Sequence, residues 1–88
     1  MKRPANQLTR MRDAAELARL IEHETSNPPT MDDEKRLVKL AHKHYCTLSE
    51  IKVQYKLSTT EDEAISKIYL TLAQAEAEAH NNETVKEI

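Results

Sequence analysis

The stretch from residue 37 to residue 55, LVKLAHKHYCTLSEIKVQY, decides which fold to expect of this chain. Mostly apolar side chains recur in it at alternating steps of four and three residues, which is the spacing of helices that pack along a seam. The members of this seam are Leu37, Ala41, His44, Leu48, Ile51 and Tyr55. Because the spacing continues through the CTLS segment at residues 46–49, it predicts one helix over about residues 31–57.

Two further helices flank this one. Apolar side chains spaced three and four residues apart predict a helix over about residues 6–25, which ends before Pro28 and Pro29. The heptad spacing resumes over about residues 60–80, and residues 83–88 are expected to form a frayed tail. The seam residues of this third helix are Ile65, Ile68 and Leu72.

Capping sequences support two of these helix starts. Thr30 is followed three residues later by Asp33, and three cap pairs precede the third helix: Ser58 with Glu61, Thr59 with Asp62 and Thr60 with Glu63. A threonine hydroxyl can accept a hydrogen bond from the amide three positions on, and acidic side chains favour the positive end of the helix dipole. The second and third helices are therefore expected to begin next to these threonines.

The composition favours an all-α fold. Leucine, isoleucine and alanine occur among many charged and amide side chains, whereas the chain contains no glycine, tryptophan or phenylalanine. Domains rich in strands use tight turns with positive φ, and those turns usually need glycine. The 88 residues fit a single domain. Short links between its helices predict an antiparallel helical hairpin or a three-helix bundle.

The unequal helix lengths predict an oligomer. A helix over residues 31–57 would extend about 10 Å beyond its neighbours at 1.5 Å per residue. The overhang would expose part of its seam, either Leu48 to Tyr55 or Leu37 to His44. Because a chain this short has a small core, an exposed apolar seam predicts self-association or a protein partner.

His42, His44 and Cys46 are close enough in sequence to raise the question of a metal site, but their spacing argues against one. Residues four apart share a helix face and residues two apart do not, so only His42 and Cys46 could bind together. A structural zinc site usually needs four ligands. We therefore expect no metal and no cofactor.

His44 has two interpretations as a member of the seam. An imidazole at the rim of the core, with its tip in water, is favoured because amphipathic side chains commonly take that position. A buried imidazole would instead fix the register of the helices at a cost in stability. In that second case, replacement of His44 by leucine would raise stability.

The sequence argues against an enzyme, a secreted protein and a membrane protein. It contains no glycine loop that could cradle a phosphate and no nucleophile motif. Its single cysteine cannot form an internal disulfide, and no apolar stretch is long enough for a signal-peptide core or a membrane span. We expect a non-enzymatic protein of the cytoplasm.

The leading functional hypothesis is a small regulator that binds and modulates another protein, in an antirepressor-like or adaptor role. Its interface would be the coiled-coil-like seam formed by the seam residues of both helices, with charged flanks. Helical bundles of this size with long heptads suit a protein that sequesters or adapts a partner.

The alternative is a transcriptional regulator that binds nucleic acid. Lys35, Lys39 and Lys43 lie four residues apart and line one helix face, although the net charge of −2 weakens this alternative. The full set of basic candidates is Lys2, Arg3, Arg10, Arg12, Lys35, Lys39 and Lys43. A helix-turn-helix over residues 47–70 is disfavoured, because residues 61–63 (EDE) would place negative charge against phosphates.

Overall fold

The computed structural model describes residues 7–28 and 30–86, with side chains described as far as residue 80. This part of the chain forms four α-helices and contains no strand. The helices are α1 (Gln7–Ser26), α2 (Met31–Lys43), α3 (Leu48–Lys56) and α4 (Glu61–Lys86). The prediction of an all-α fold is therefore confirmed.

Helices α1 and α2 are antiparallel neighbours. Lys43 at the end of α2 lies 3.0 Å from Asp13 near the start of α1. Asp33 at the start of α2 lies 3.4 Å from His23 near the end of α1, while its amide donates to the Thr30 hydroxyl as predicted. The first half of α1 also packs against α4, so α1 lies between the other two long helices.

The predicted single helix over residues 31–57 is wrong, because the chain leaves the helical path between Lys43 and Leu48. Two hydrogen bonds close the end of α2. The amide of Tyr45 donates to the His42 carbonyl at 3.0 Å, and the amide of Cys46 donates to the Ala41 carbonyl at 2.9 Å. This Schellman arrangement places Tyr45 in the left-handed region, with φ of 64°.

Glycine usually takes that left-handed position because it has no Cβ. The chain contains no glycine, so the sequence offered no stop signal after α2. The start of α3 was nevertheless marked by the segment TLSE at residues 47–50, which has the capping-box pattern. The Thr47 hydroxyl accepts from the Glu50 amide at 3.3 Å and donates to the Glu50 carboxylate at 3.1 Å. This start was not predicted, because the heptad spacing continues through it without interruption.

Helix α4 begins where the sequence predicts but ends later. The Thr60 hydroxyl accepts from the Glu63 amide at 3.1 Å, as expected of the predicted cap. The predicted end near residue 80 is wrong, because α4 continues to Lys86. Asparagine lowers helix propensity by less than about 1 kcal/mol per residue, so the two asparagines at 81 and 82 do not stop a helix. The final residues of the predicted frayed tail, 87 and 88, lie outside the described residues.

One hydrophobic core draws on all four helices. Its fully buried members are Ala14, Leu17, Ala18, Ile21, Leu37, Ala41, Cys46, Ile51, Ile68 and Leu72. Leu48, Tyr55 and Ile65 are partly buried and pack against these residues. Every helix thus depends on the others to cover its apolar face. Among the described residues no helix, α4 included, is apolar over a long enough stretch to cross a membrane.

The predicted overhang of the seam is also wrong. Because the chain turns at residues 44–47, α3 folds back onto α1 and α4 instead of extending α2. The predicted seam residues lie in the core of the monomer or against it, as Leu37 and Ile51 illustrate by being fully buried. No part of the seam therefore protrudes as an apolar stripe.

The left-handed residue in the turn gives a stability prediction. Substitution Tyr45→Gly should raise the free energy of unfolding by about 1 kcal/mol relative to Tyr45→Ala, because only glycine removes the clash of Cβ with the backbone. Tyr45 is exposed, so both variants lose little packing. Urea denaturation followed by circular dichroism measures the difference. Equal stability of the two variants would contradict the left-handed turn.

Candidate functional site

A buried histidine joins three helices at the end of α2. His44 is fully buried and its two ring nitrogens face two carboxylates. Nε2 lies 2.7 Å from Oδ2 of Asp13 on α1, and Nδ1 lies 3.1 Å from Oε1 of Glu76 on α4. Both ring nitrogens are therefore within hydrogen-bond distance of a carboxylate oxygen.

The favoured interpretation of His44, as an imidazole at the rim with its tip in water, is therefore wrong. The heptad pattern placed the residue on the correct side of the chain, but it could not supply the two carboxylates that make burial of the ring favourable. A buried polar group is costly unless it is hydrogen-bonded, and here both ring nitrogens have partners.

Two further cations complete this group of charges. Lys43 Nζ donates to Oδ2 of Asp13 at 3.0 Å, and Arg10 Nε donates to the carboxylate of Glu76. Arg10 also lies over the Tyr69 ring, with its guanidinium carbon 5.6 Å from the ring centroid. We call Arg10, Asp13, Lys43, His44 and Glu76 the polar cluster. It ties the start of α1 to the end of α2 and the second half of α4.

Asp13 is ionised in this environment. Burial is the strongest single influence and opposes ionisation, but hydrogen bonds from His44 and Lys43, together with their charges, outweigh it. The pKa of Asp13 therefore lies below its ordinary value. The ionised carboxylate is the group that holds the turn after α2 against α1.

The polar cluster has no free group for catalysis. Both nitrogens of His44 are engaged, so the ring offers no base to a substrate.

Cys46 is buried and its thiol donates to the Thr71 carbonyl at 3.7 Å. Burial, reinforced by the charges of Glu50 and Glu76, raises the pKa of Cys46 to about 11. The thiol therefore stays protonated and is a poor nucleophile.

The three residues that raised the question of a metal site point to different places. His42 is exposed, whereas His44 and Cys46 are buried and have other partners. Among the described residues no three His, Cys, Asp or Glu side chains are placed to hold one metal ion.

The outward surface of α3 is open. Ser49, Glu50, Val53 and Lys56 are exposed and follow the helical repeat, so they share one side of the helix, which we call the outer face of α3. The opposite side packs into the core through Ile51. The helix therefore presents a mixed polar and apolar surface to solvent, while its other side packs against the core.

The predicted nucleic-acid contacts fall into exposed residues and residues that are paired within the chain. Lys35 and Lys39 are exposed on α2, and Arg12 is exposed on α1. Lys43 keeps a half-exposed side chain but pairs with Asp13. Arg10 pairs with Glu76 and lies over the Tyr69 ring, so this predicted contact is engaged within the chain. The remaining two candidates, Lys2 and Arg3, lie outside the described residues.

The partners of His44 were missed at the sequence level. Asp13 lies four residues before Leu17, and Glu76 lies four residues after Leu72. Both carboxylates therefore share a helix face with core leucines, which is an unusual place for a charge. Together with a histidine in a seam, two such carboxylates could have pointed to a buried ionic cluster.

Comparison with known proteins does not assign the chain. No protein family, no curated protein and no solved structure matches it. Its function therefore has to be argued from the geometry and charge of its own residues.

The ion pairs of His44 reverse the expectation for its replacement by leucine. Substitution His44→Leu should lower the free energy of unfolding by about 3 kcal/mol, because it leaves Asp13 and Glu76 buried without a shared partner. Substitution His42→Leu is the matched control, since His42 is exposed on the same helix. Thermal melts of both variants test this. A higher melting temperature for His44→Leu would mean that the ion pairs do not stabilise the fold.

The lowered pKa of Asp13 predicts a dependence of stability on pH. The unfolded carboxyl titrates near about pH 4, so ionised Asp13 contributes stability above that pH and loses it as the pH falls through the lower folded value. Stability of the natural chain should fall more steeply on acidification than that of Asp13→Asn. Asp32→Asn, which replaces an exposed carboxylate, should follow the natural chain. The measurement is the urea midpoint of each variant at several acidic pH values. Parallel curves for the natural chain and Asp13→Asn would show that Asp13 does not cause the pH dependence.

Proposed function

We propose that this protein is a non-enzymatic binding protein whose partner is nucleic acid, contacted through α2, the turn and α3. We call residues 31–56 the α2–α3 unit. The observation that carries the proposal is the local charge. The α2–α3 unit has six lysines and arginines and four acidic residues, a net charge of +2, and the part that follows its acidic start, residues 35–57, has six against one, a net charge of +5. The remaining residues carry seven basic and fourteen acidic side chains.

The exposed cations of the α2–α3 unit give this charge a place on the surface. Lys35, Lys39 and Lys56 are exposed and form no ion pair among the described residues. Unpaired surface cations attract the phosphate backbone, because binding releases condensed counterions. The near-neutral net charge of the chain therefore does not argue against nucleic acid, since most of the opposing charges lie on α1, on α4 and in the first turn of α2.

Two features limit the extent of this surface. Arg36 and Lys52 pair with Glu16 and Glu24 of α1, which reduces their contribution. The acidic residues 32–34 begin α2, and Lys43 pairs with Asp13, so the unpaired cations are Lys35 and Lys39 of α2 and Lys56 at the end of α3. Contact with a phosphate backbone is expected at these three lysines.

The second candidate is the regulator that binds another protein, which the sequence favoured first. It is supported by large apolar side chains that remain exposed, chiefly Met31, Leu57 and Leu70. These residues are not members of the predicted seam, so the surface would differ from the one expected. Location in the cytoplasm and assembly into homo-oligomers stay predictions of the sequence.

Binding to labelled duplex DNA, followed by fluorescence anisotropy over a range of salt, tests the proposal. At about 50 mM salt the dissociation constant should fall below roughly 10 μM. The double substitution Lys35→Gln with Lys39→Gln should lower the slope of log affinity against log salt by about two, because two phosphate contacts are lost.

The matched control is Arg12→Gln with Arg19→Gln, which removes two exposed positive charges from α1. This control should bind like the natural chain. Loss of binding only in the control would move the contact to α1 and the preceding arm. Absence of binding by the natural chain at low salt would reject the nucleic-acid proposal and leave the protein partner.

A further inference from the structure

We infer that the α2–α3 unit is a helix-turn-helix and that α3 enters the major groove of duplex DNA. The inference rests on the proposed function and names its ligand and its reading surface. The arrangement has two helices joined by the four residues 44–47, and a turn of three or four residues is typical of this motif. The turn usually contains glycine, and here Tyr45 takes the left-handed conformation instead, with φ of 64°.

The two helices are held together from inside the molecule. Ala41 of α2, Cys46 of the turn and Ile51 of α3 are all buried in the same core cluster. Alanine at position 41 has a small side chain, which suits close approach of the turn and α3. The polar cluster anchors the turn to α1 and α4 through His44. The unit is therefore supported by the rest of the bundle, as a site on a rigid scaffold should be.

The outer face of α3 has the chemistry of base contacts. Ser49 can donate to or accept from base edges, Val53 can contact a thymine methyl group, and Lys56 can donate to guanine. Val53 is half exposed, although the same helix buries Ile51 on its other side. The helix therefore packs against the core and still leaves an apolar side chain in solvent. An α-helix with its side chains is about 10–12 Å in diameter, which fits a major groove about 12 Å wide, and the nine residues of α3 extend about 13 Å at 1.5 Å per residue.

The one acidic side chain on this face is turned toward the helix start. The carboxylate of Glu50 accepts from the Thr47 hydroxyl at 3.1 Å, within the capping box. The other short helical junction in the chain, between α3 and α4, differs in this respect. Its second helix begins with Glu61, Asp62 and Glu63, of which the first two are exposed. Charge therefore favours α3 over α4 as the helix that approaches DNA.

The exposed lysines of α2 complete the arrangement. Lys35 and Lys39 are exposed on α2, the first helix of the α2–α3 unit. Contacts to phosphates orient a protein on the duplex, whereas contacts to base edges give sequence preference. The two sets of residues predict separable effects. Substitutions on α2 should weaken binding to all sequences, and substitutions on the outer face of α3 should change which sequence is preferred.

Selection from a pool of short randomised DNA duplexes, with sequencing of the bound fraction, tests this inference with the full chain. We expect enrichment of a defined sequence. Ser49→Ala and Val53→Ala should each weaken binding to the selected duplex by about 10-fold while leaving binding to a scrambled duplex unchanged. Lys39→Gln is the comparison variant and should weaken binding to both duplexes equally. Ser49 and Val53 are exposed, so circular dichroism should confirm that the variants stay folded.

The outcomes separate this inference from the proposed function. Salt-dependent binding without any enriched sequence would overturn the role of α3 and leave general nucleic-acid binding intact. Stronger binding to single strands than to duplexes would have the same meaning. No binding to any DNA would overturn both. Enrichment that Ser49→Ala and Val53→Ala leave unaltered would show that another part of the chain reads the sequence.

Discussion

The contact of His44 with Asp13 and Glu76 is the constraint on which the rest of the structure depends. It joins residues that lie 31 and 32 positions apart in the chain, and it is the buried centre of the ion pairs that link α1, α2 and α4. Apolar contacts tolerate small shifts between helices, whereas hydrogen bonds to both nitrogens of one ring fix position and orientation together. Loss of His44 is also costly, because it would leave Asp13 and Glu76, both largely buried, without the hydrogen-bond partner that they share.

This constraint acts at the position where the chain changes direction. His44 ends α2, and the next residue takes the left-handed conformation that a chain without glycine must achieve with tyrosine. The energy of that conformation is unfavourable by about 1 kcal/mol or more, so it persists only where surrounding contacts determine it. Burial of Cys46 and the anchoring of His44 on either side of Tyr45 provide those contacts. The turn then directs α3 across α1 and α4.

The direction of α3 has consequences for the surface. Because Ile51 is drawn into the core, the opposite side of the helix must face solvent, and the basic residues of α2 and α3 come to share the unit that the turn creates. The acidic side chains are concentrated on other elements or at the start of α2. A chain that is close to neutral as a whole thus has a distinctly positive region. Local charge of this kind, more than net charge, determines attraction to a phosphate backbone.

Local sequence determined the helical class and most helix starts. Threonine followed by an acid three residues later marked the starts of α2 and α4, and Pro28 marked the gap after α1, because these effects need only neighbouring residues. The same rule would have located the start of α3 at Thr47, but an unbroken heptad spacing suggested a longer helix. The heptad spacing is the same whether residues 31–57 form one helix or two, because the same residues are buried in either case. The spacing alone could therefore not reveal the turn.

Only the tertiary structure decided whether His44 was buried, where the chain turned and which cations stayed free. Asp13 and Glu76 come from distant parts of the chain, and their effect on His44 depends on distances that no local pattern encodes. Arg10 and Lys35 are equally basic in the sequence, yet one is committed to Glu76 and the other faces solvent. The physical reason is that pairing and burial are properties of the folded neighbourhood, whereas helix propensity and capping are properties of a few consecutive residues.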